Sequence, residues 1–152
     1  MSDLVLTCGT SGAGADAIRL EANLSRAVSD GEMLSAYFEV YGLEQGEDGV
    51  AKFEYEYHVI KTEAANRNWL QRTFSVPAAN HVVTVQREEM QHSSLRRQFL
   101  SITVQQLEPG AYQLEVMVRD RIGRTRMTRR VEFERVSRLA HDVATPARPA
   151  SK

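Results

Sequence analysis

The sequence predicts an all-β chain, about seven to nine short antiparallel strands arranged as a β-sandwich. Three observations carry that expectation. Apolar and polar residues alternate with a period of two over most of the chain, turn-forming residues fall where the alternation stops, and the four prolines (77, 109, 146 and 149) stay outside the alternating runs. Such alternation sends one row of side chains to a core and the other to water, as in antiparallel sheets with one solvated face.

The elements follow in order. Leu4–Cys8 reads as a short apolar strand, with Cys8 buried at its end and Gly9–Gly14 as a small-residue loop leading out. Ile18, Leu20, Ala22 and Leu24 share one parity against Arg19, Glu21 and Asn23. Leu34, Ala36, Phe38 and Val40 repeat the pattern, and Phe53, Tyr55, Tyr57 and Val59 give its clearest form against Lys52, Glu54, Glu56 and His58. Leu70, Phe74 and Val76 come next, then Val83 and Val85, then Leu100, Ile102 and Val104. Tyr112, Leu114, Val116 and Val118 follow, and Val131 with Phe133 closes the series. Ser29-Asp30-Gly31, Gly46-Glu47-Asp48-Gly49, Glu108-Pro109-Gly110 and Ile122-Gly123-Arg124 supply the turns. Gln86–Arg97 is charged and polar and rich in helix formers, so it reads as a long connection carrying a helical turn. Residues 137–152, rich in Ala and Pro, read as a disordered tail beyond a single domain of residues 1–136.

Composition bounds the class. The chain has 152 residues, 42% of them hydrophobic and 26% charged, which is one soluble globular domain and not a collagen, a disulfide scaffold or a disordered chain. A lone cysteine forbids an intrachain disulfide. No run approaches the roughly 20 apolar residues of a membrane helix, so direct membrane insertion is not expected. The start lacks the basic region of a signal peptide, so the sequence itself assigns no compartment. The net charge of −1 hides a split: residues 1–76 carry 6 basic and 12 acidic side chains, residues 77–152 carry 13 and 8. Outward charges that pair between strands explain such a split, and so does a binding face.

Motifs for chemistry are sparse. The histidines, 58, 81, 92 and 141, include no pair at metal-ligand spacing, and no metal or cofactor is expected. His58 falls on the polar parity of its strand, as a surface side chain would. Gly9–Gly14 lacks the Lys-Ser/Thr pair of a phosphate loop. Glu44, Glu47 and Asp48 lack the regular ligand spacing of a calcium loop. No strained turn presents a serine, so no catalytic residue is assigned and the chain is not read as an enzyme. Two features rise above this background. Arg119, Arg121, Arg124 and Arg126, with Arg129 and Arg130 beyond them, cluster about a hairpin. They are either an outward strand face paired with Glu54, Glu56, Glu115 and Glu132 or the surface for a protein partner. Nucleic acid would call for interleaved aromatics or a recognised motif, and neither is present. Tyr37, Tyr41 and Trp69 lie on the less apolar parity of their runs, and exposed rings there could seat a carbohydrate or peptide, or pack under a neighbouring domain.

Ser2-Asp3-Leu4-Val5-Leu6, Asn23-Leu24-Ser25-Arg26 and the run Leu34–Leu43 with its Tyr-Phe-Glu-Val-Tyr-Gly-Leu occur in an order that resembles the C-terminal β-sandwich of bacterial GWxTD-domain proteins. Leu107–Val116, Val118-Arg119-Asp120 and Glu132-Phe133 are similar to the family's closing strands, so the resemblance covers residues 2–136. The Gly-Trp-x-Thr-Asp motif itself is absent, since Trp69 precedes Leu70-Gln71, and nothing tied to that motif is carried over. The resemblance implies an immunoglobulin-like or fibronectin-like module of a larger envelope or exported protein, structural or interacting rather than catalytic. Its partner would be another protein or a neighbouring domain of the same chain.

Overall fold

Tight turns at Asp30-Gly31 and Asp48-Gly49 and the Pro109-Gly110 corner place the strand ends. Gly31, Gly49 and Gly110 have φ of 83°, 70° and 147°, a region that side chains resist. The computed structural model describes residues 1–12, 18–62 and 81–137. Among them lie β1 (Val5–Gly12), β2 (Ile18–Ala22), β3 (Ala27–Val28), β4 (Met33–Tyr41), β5 (Ala51–Lys61), β6 (His81–Gln91), β7 (Leu95–Thr103), β8 (Gly110–Asp120) and β9 (Arg126–Arg135). One sheet is ordered β2-β1-β4-β7 and the other β3-β9-β8-β5-β6. Every pairing is antiparallel except the short parallel one between β3 and β9. The architecture is all-β and β-sandwich-like.

The core confirms the parity reading. Leu34, Ala36, Phe38 and Val40 of β4 share one buried cluster with Phe53, Tyr55, Tyr57 and Val59 of β5 and with Leu114, Val116 and Val118 of β8. Burying each of the larger aliphatic and phenylalanine side chains contributes roughly 1.5–3 kcal/mol, so the inner faces set which side of each strand turns in. Tyr112 adds a polar tie: its ring stacks on Phe133, centroids 5.6 Å apart, and its hydroxyl donates to the Glu108 carbonyl at 2.9 Å. At the same end of the molecule, opposite Gly110, Arg135 is buried, its guanidinium donating to the carbonyls of Val104 and Val136 and pairing with Asp30.

Four expectations are corrected. Gln86–Arg97 forms no helical turn: residues 86–91 finish β6, residues 95–97 begin β7, and a short bend at residues 92–94 carries the chain from one sheet to the other. Both strands lie at sheet edges, and residues 86–97, the end of one and the start of the other, are mostly exposed and carry no clean apolar row. Gly9–Gly12 is not a loop but the second half of β1, paired with Ile18–Glu21 of β2. Cys8 is exposed rather than buried. The β1–β2 register shifts between Thr7 and Gly9, and this bulge turns Thr7 inward and Cys8 outward. Leu24, placed on the inward row, is 90% exposed in the turn after β2. Leu70, Phe74 and Val76 and residues 138–152 lie outside the described residues.

Candidate partner-binding site

The arginine hairpin is built by one carboxylate. Asp120, at the end of β8, is 2% exposed; its Oδ1 accepts from the backbone N–H of Ile122 and of Gly123, both at 2.9 Å. Its Oδ2 accepts from the N–H of Glu44 at 2.8 Å, tying the hairpin to the segment after β4, and its own N–H donates to the Thr125 carbonyl at 2.9 Å. A Cβ on Gly123 would stand 3.0 Å from both Asp120 Oδ2 and Glu44 Oε2, so a side chain there would have to push these carboxylates back by a few tenths of an ångström. Arg124 then takes φ of 52°, an uncommon conformation for a residue with a side chain.

Register sorts the arginines. On the outer face of the larger sheet Glu88 of β6, Glu54 of β5, Arg119 of β8 and Arg126 of β9 stand in one row. Arg121 reaches back over this row to Glu54 at 3.3 Å and Glu88 at 2.6 Å, and the hydrogen bond to Glu88 and the charge of Glu54 hold its proton more tightly than usual. Arg130 pairs with Glu115 and Arg129 with Asp3. Arg119, Arg124 and Arg126 make no ion pair within 4.0 Å among the described residues, and all three line a shallow groove of about 370 Å³ with Glu54, Glu56 and Thr125. A second hollow of about 340 Å³ shares Met117 and Arg126 with the first and continues past Thr128 to Arg129 and Arg130.

The internal-pairing reading therefore holds for Arg121 with Glu54 and for Arg130 with Glu115. Asp3–Arg129, Asp30–Arg135, Glu39–Arg97 and Glu54–Arg121 each join an acidic side chain of the first half to an arginine of the second. Arg119, Arg124 and Arg126 stand apart from this internal pairing. Glu56, expected to meet an arginine, instead faces His58 at 3.2 Å, and the His58 ring also meets the Thr84 hydroxyl at 3.0 Å.

No family model matches this chain, and no curated protein does.

The aromatic face is only partly assembled. Tyr37 is half-buried, its ring centroid 4.8 Å from that of Phe99, and its hydroxyl donates to Glu39 Oε1 at 2.5 Å. Burial, and then the Glu39 carboxylate, push its phenol above the ordinary tyrosine range. Across the outer face of the smaller sheet Val5, Tyr37 and Phe99 form one row, and exposed Tyr41 stands opposite Leu95. Trp69 lies outside the described residues. Phe99 was not singled out from the sequence, because only the β4–β7 register puts it opposite Tyr37.

One pocket had no sequence signal. About 600 Å³ in volume, it is lined by Thr7 and Cys8 of β1, Asn23 and Ser25 of the turn after β2, Glu32 just before β4 and Ser35 within it, among others. Its walls come from segments that only folding brings together. Among the described residues no group of three or more His, Cys, Asp or Glu is placed to hold a metal ion. No helix among them is long and apolar enough to cross a membrane.

Proposed function

We propose that the chain is an immunoglobulin-like β-sandwich acting as a non-catalytic protein-interaction module within a larger bacterial envelope or exported protein. The strand order supports the fold type: β1-β4-β7 faces β9-β8-β5-β6, with β3 running parallel to β9 at its edge. Tyr112 supports it further, since a tyrosine at the start of a strand whose hydroxyl bonds a carbonyl four residues upstream is the tyrosine corner of such sandwiches. The resemblance of residues 2–136 to the GWxTD-domain sandwich supports the context.

The observation that carries the interaction reading is the trio Arg119, Arg124 and Arg126, exposed cations in one groove, none of them in an ion pair within 4.0 Å among the described residues. Arg119 and Arg126 are direct cross-strand neighbours, and like charges in that position repel, a cost that a partner's opposite charge removes. The test is capture of partners from envelope extract by the parent domain and by the variant Arg119→Glu/Arg124→Glu/Arg126→Glu. A partner held by the parent and lost by the folded variant is expected. A partner held equally by both would refute the assignment of the surface.

A second reading rests on the Val5–Tyr37–Phe99 row with Tyr41 beside it, an aromatic face that would seat a glycan or peptide. Its test is tyrosine and tryptophan fluorescence during titration with oligosaccharides, and a flat response across the panel overturns it.

A further inference from the structure

Between Leu95 and Arg135 the chain carries nine arginines. Arg96, Arg97, Arg121, Arg129, Arg130 and Arg135 each contact a carboxylate, on Glu89, Glu39, Glu54 with Glu88, Asp3, Glu115 and Asp30 respectively. The three without one are not scattered; they meet at one end of a groove that runs on along β9. We propose that this groove seats an extended acidic segment of a protein partner, its Asp and Glu side chains meeting Arg119, Arg124 and Arg126. The proposal deepens the reading of the domain as an interaction module and rests on it.

Three features favour an extended acidic peptide over a small anion. The two hollows share Met117 and Arg126, so the depression is continuous from the Arg119–Arg126 row to the Glu115–Arg130 row. Four steps of strand separate those rows, about 13 Å, the reach of four or five extended residues and far more than one phosphate. Glu54 and Glu56 also line the hairpin end, and their charge opposes a compact dianion more than it opposes carboxylates spread along a chain. Met117 and the hydroxyls of Thr125 and Thr128 give the floor an apolar patch and neutral hydrogen-bonding groups. Guanidinium forks aimed at single carboxylates supply direction as well as charge.

The test titrates the intact domain against a fluorescein-labelled peptide with Asp and Glu alternating with Ser, watched by polarisation. Saturable binding that weakens with added salt is expected. Arg119→Gln/Arg124→Gln/Arg126→Gln should weaken it about tenfold or more, while Arg121→Gln, which breaks an internal ion pair, changes it by less than about twofold. Melting separates binding from folding: the triple variant should melt within a few degrees of the parent, since it loses the Arg119–Arg126 repulsion together with the Glu54 charge opposite Arg119, and no ion pair within 4.0 Å. Three results would overturn the proposal: equal binding of the Asn/Gln version of the peptide, tighter binding of inorganic pyrophosphate than of the acidic peptide, or a triple variant that melts several degrees lower. Partner capture that depends on the three arginines, combined with no peptide binding, refutes the acidic segment and leaves the interaction module standing. Peptide binding that depends on the three arginines, with no partner captured, upholds the acidic ligand of the groove and counts against envelope extract as the source of the partner.

Discussion

Removing the Asp120 carboxylate tests whether a single buried side chain builds the arginine hairpin. In Asp120→Ala three backbone donors, on Glu44, Ile122 and Gly123, lose their acceptor at once. A hydrogen bond to a charged group contributes about 1.5–3 kcal/mol, so three independent ones would sum to about 5–9 kcal/mol. That sum is an upper bound here, because Ile122 and Gly123 are half-exposed and Glu44 is exposed, so water replaces part of the loss. The expected cost is about 3 kcal/mol, far above the ~0.5 kcal/mol of an ordinary surface change. Asp120→Asn keeps one oxygen, enough for the Ile122 and Gly123 donors, but sets an amide N–H against that of Glu44; its cost should be near 2 kcal/mol. Urea unfolding followed by intrinsic fluorescence measures both. With a slope of about 2 kcal/mol per molar, the alanine midpoint should fall by roughly 1.5 M and the asparagine midpoint by about 1 M. If both variants unfold within 0.5 kcal/mol of the parent, the three hydrogen bonds do not organise the hairpin and the account of the groove's shape fails with them.

The remaining predictions follow from single contacts. Tyr112→Phe keeps the stack on Phe133 but removes the bond to the Glu108 carbonyl, and should cost about 1 kcal/mol in the same urea experiment, with no change of slope. Cys8 is exposed, so a thiol reagent should modify it fully in the folded protein without denaturant; reaction only on unfolding would contradict the bulge that turns it out. The Lys61 ammonium, 2.6 Å from Glu108, lowers the carboxyl's pKa below its ordinary value by hydrogen bond and then by charge. A carboxyl whose folded pKa is depressed contributes stability that is present above its unfolded pKa and lost as pH falls through the folded one. Glu108→Gln should therefore reduce the acid-side slope of stability in a pH series of urea midpoints, slightly, because the pair is exposed. An unchanged slope would show that the pair does not persist in solution.

Which side of each strand faces the core was legible from local pattern alone. Phe53, Tyr55, Tyr57 and Val59 had to turn inward together because neighbouring side chains on a strand point to opposite faces. The turn residues were legible for a similar reason: Gly31, Gly49 and Gly110 occupy backbone angles that other residues avoid, and Pro109 cannot donate to a ladder. Gln86–Arg97 and Gly9–Gly12 were misread where that logic stops. An edge strand needs no continuous apolar row, and a strand of small residues carries no alternation at all.

The arginines mark the same division at the candidate site. Composition and spacing showed a basic hairpin, and nothing along the chain separates Arg121 from Arg119, Arg124 or Arg126. The separation comes from β5 lying between β6 and β8, which carries Glu54 and Glu88 within reach of Arg121 and leaves the other three facing a groove. Ion pairs form over a few ångströms of space between residues far apart in sequence, so register between non-adjacent strands decides them. The sequence by itself determined the inward faces of the strands with clear alternation, such as Leu34–Val40, Phe53–Val59 and Tyr112–Val118, and the turns between strands, because those depend on neighbouring residues. Tertiary structure alone decided the edges, the bulge at Cys8 and which charges stay outside the internal ion pairs, because those depend on what folding brings alongside.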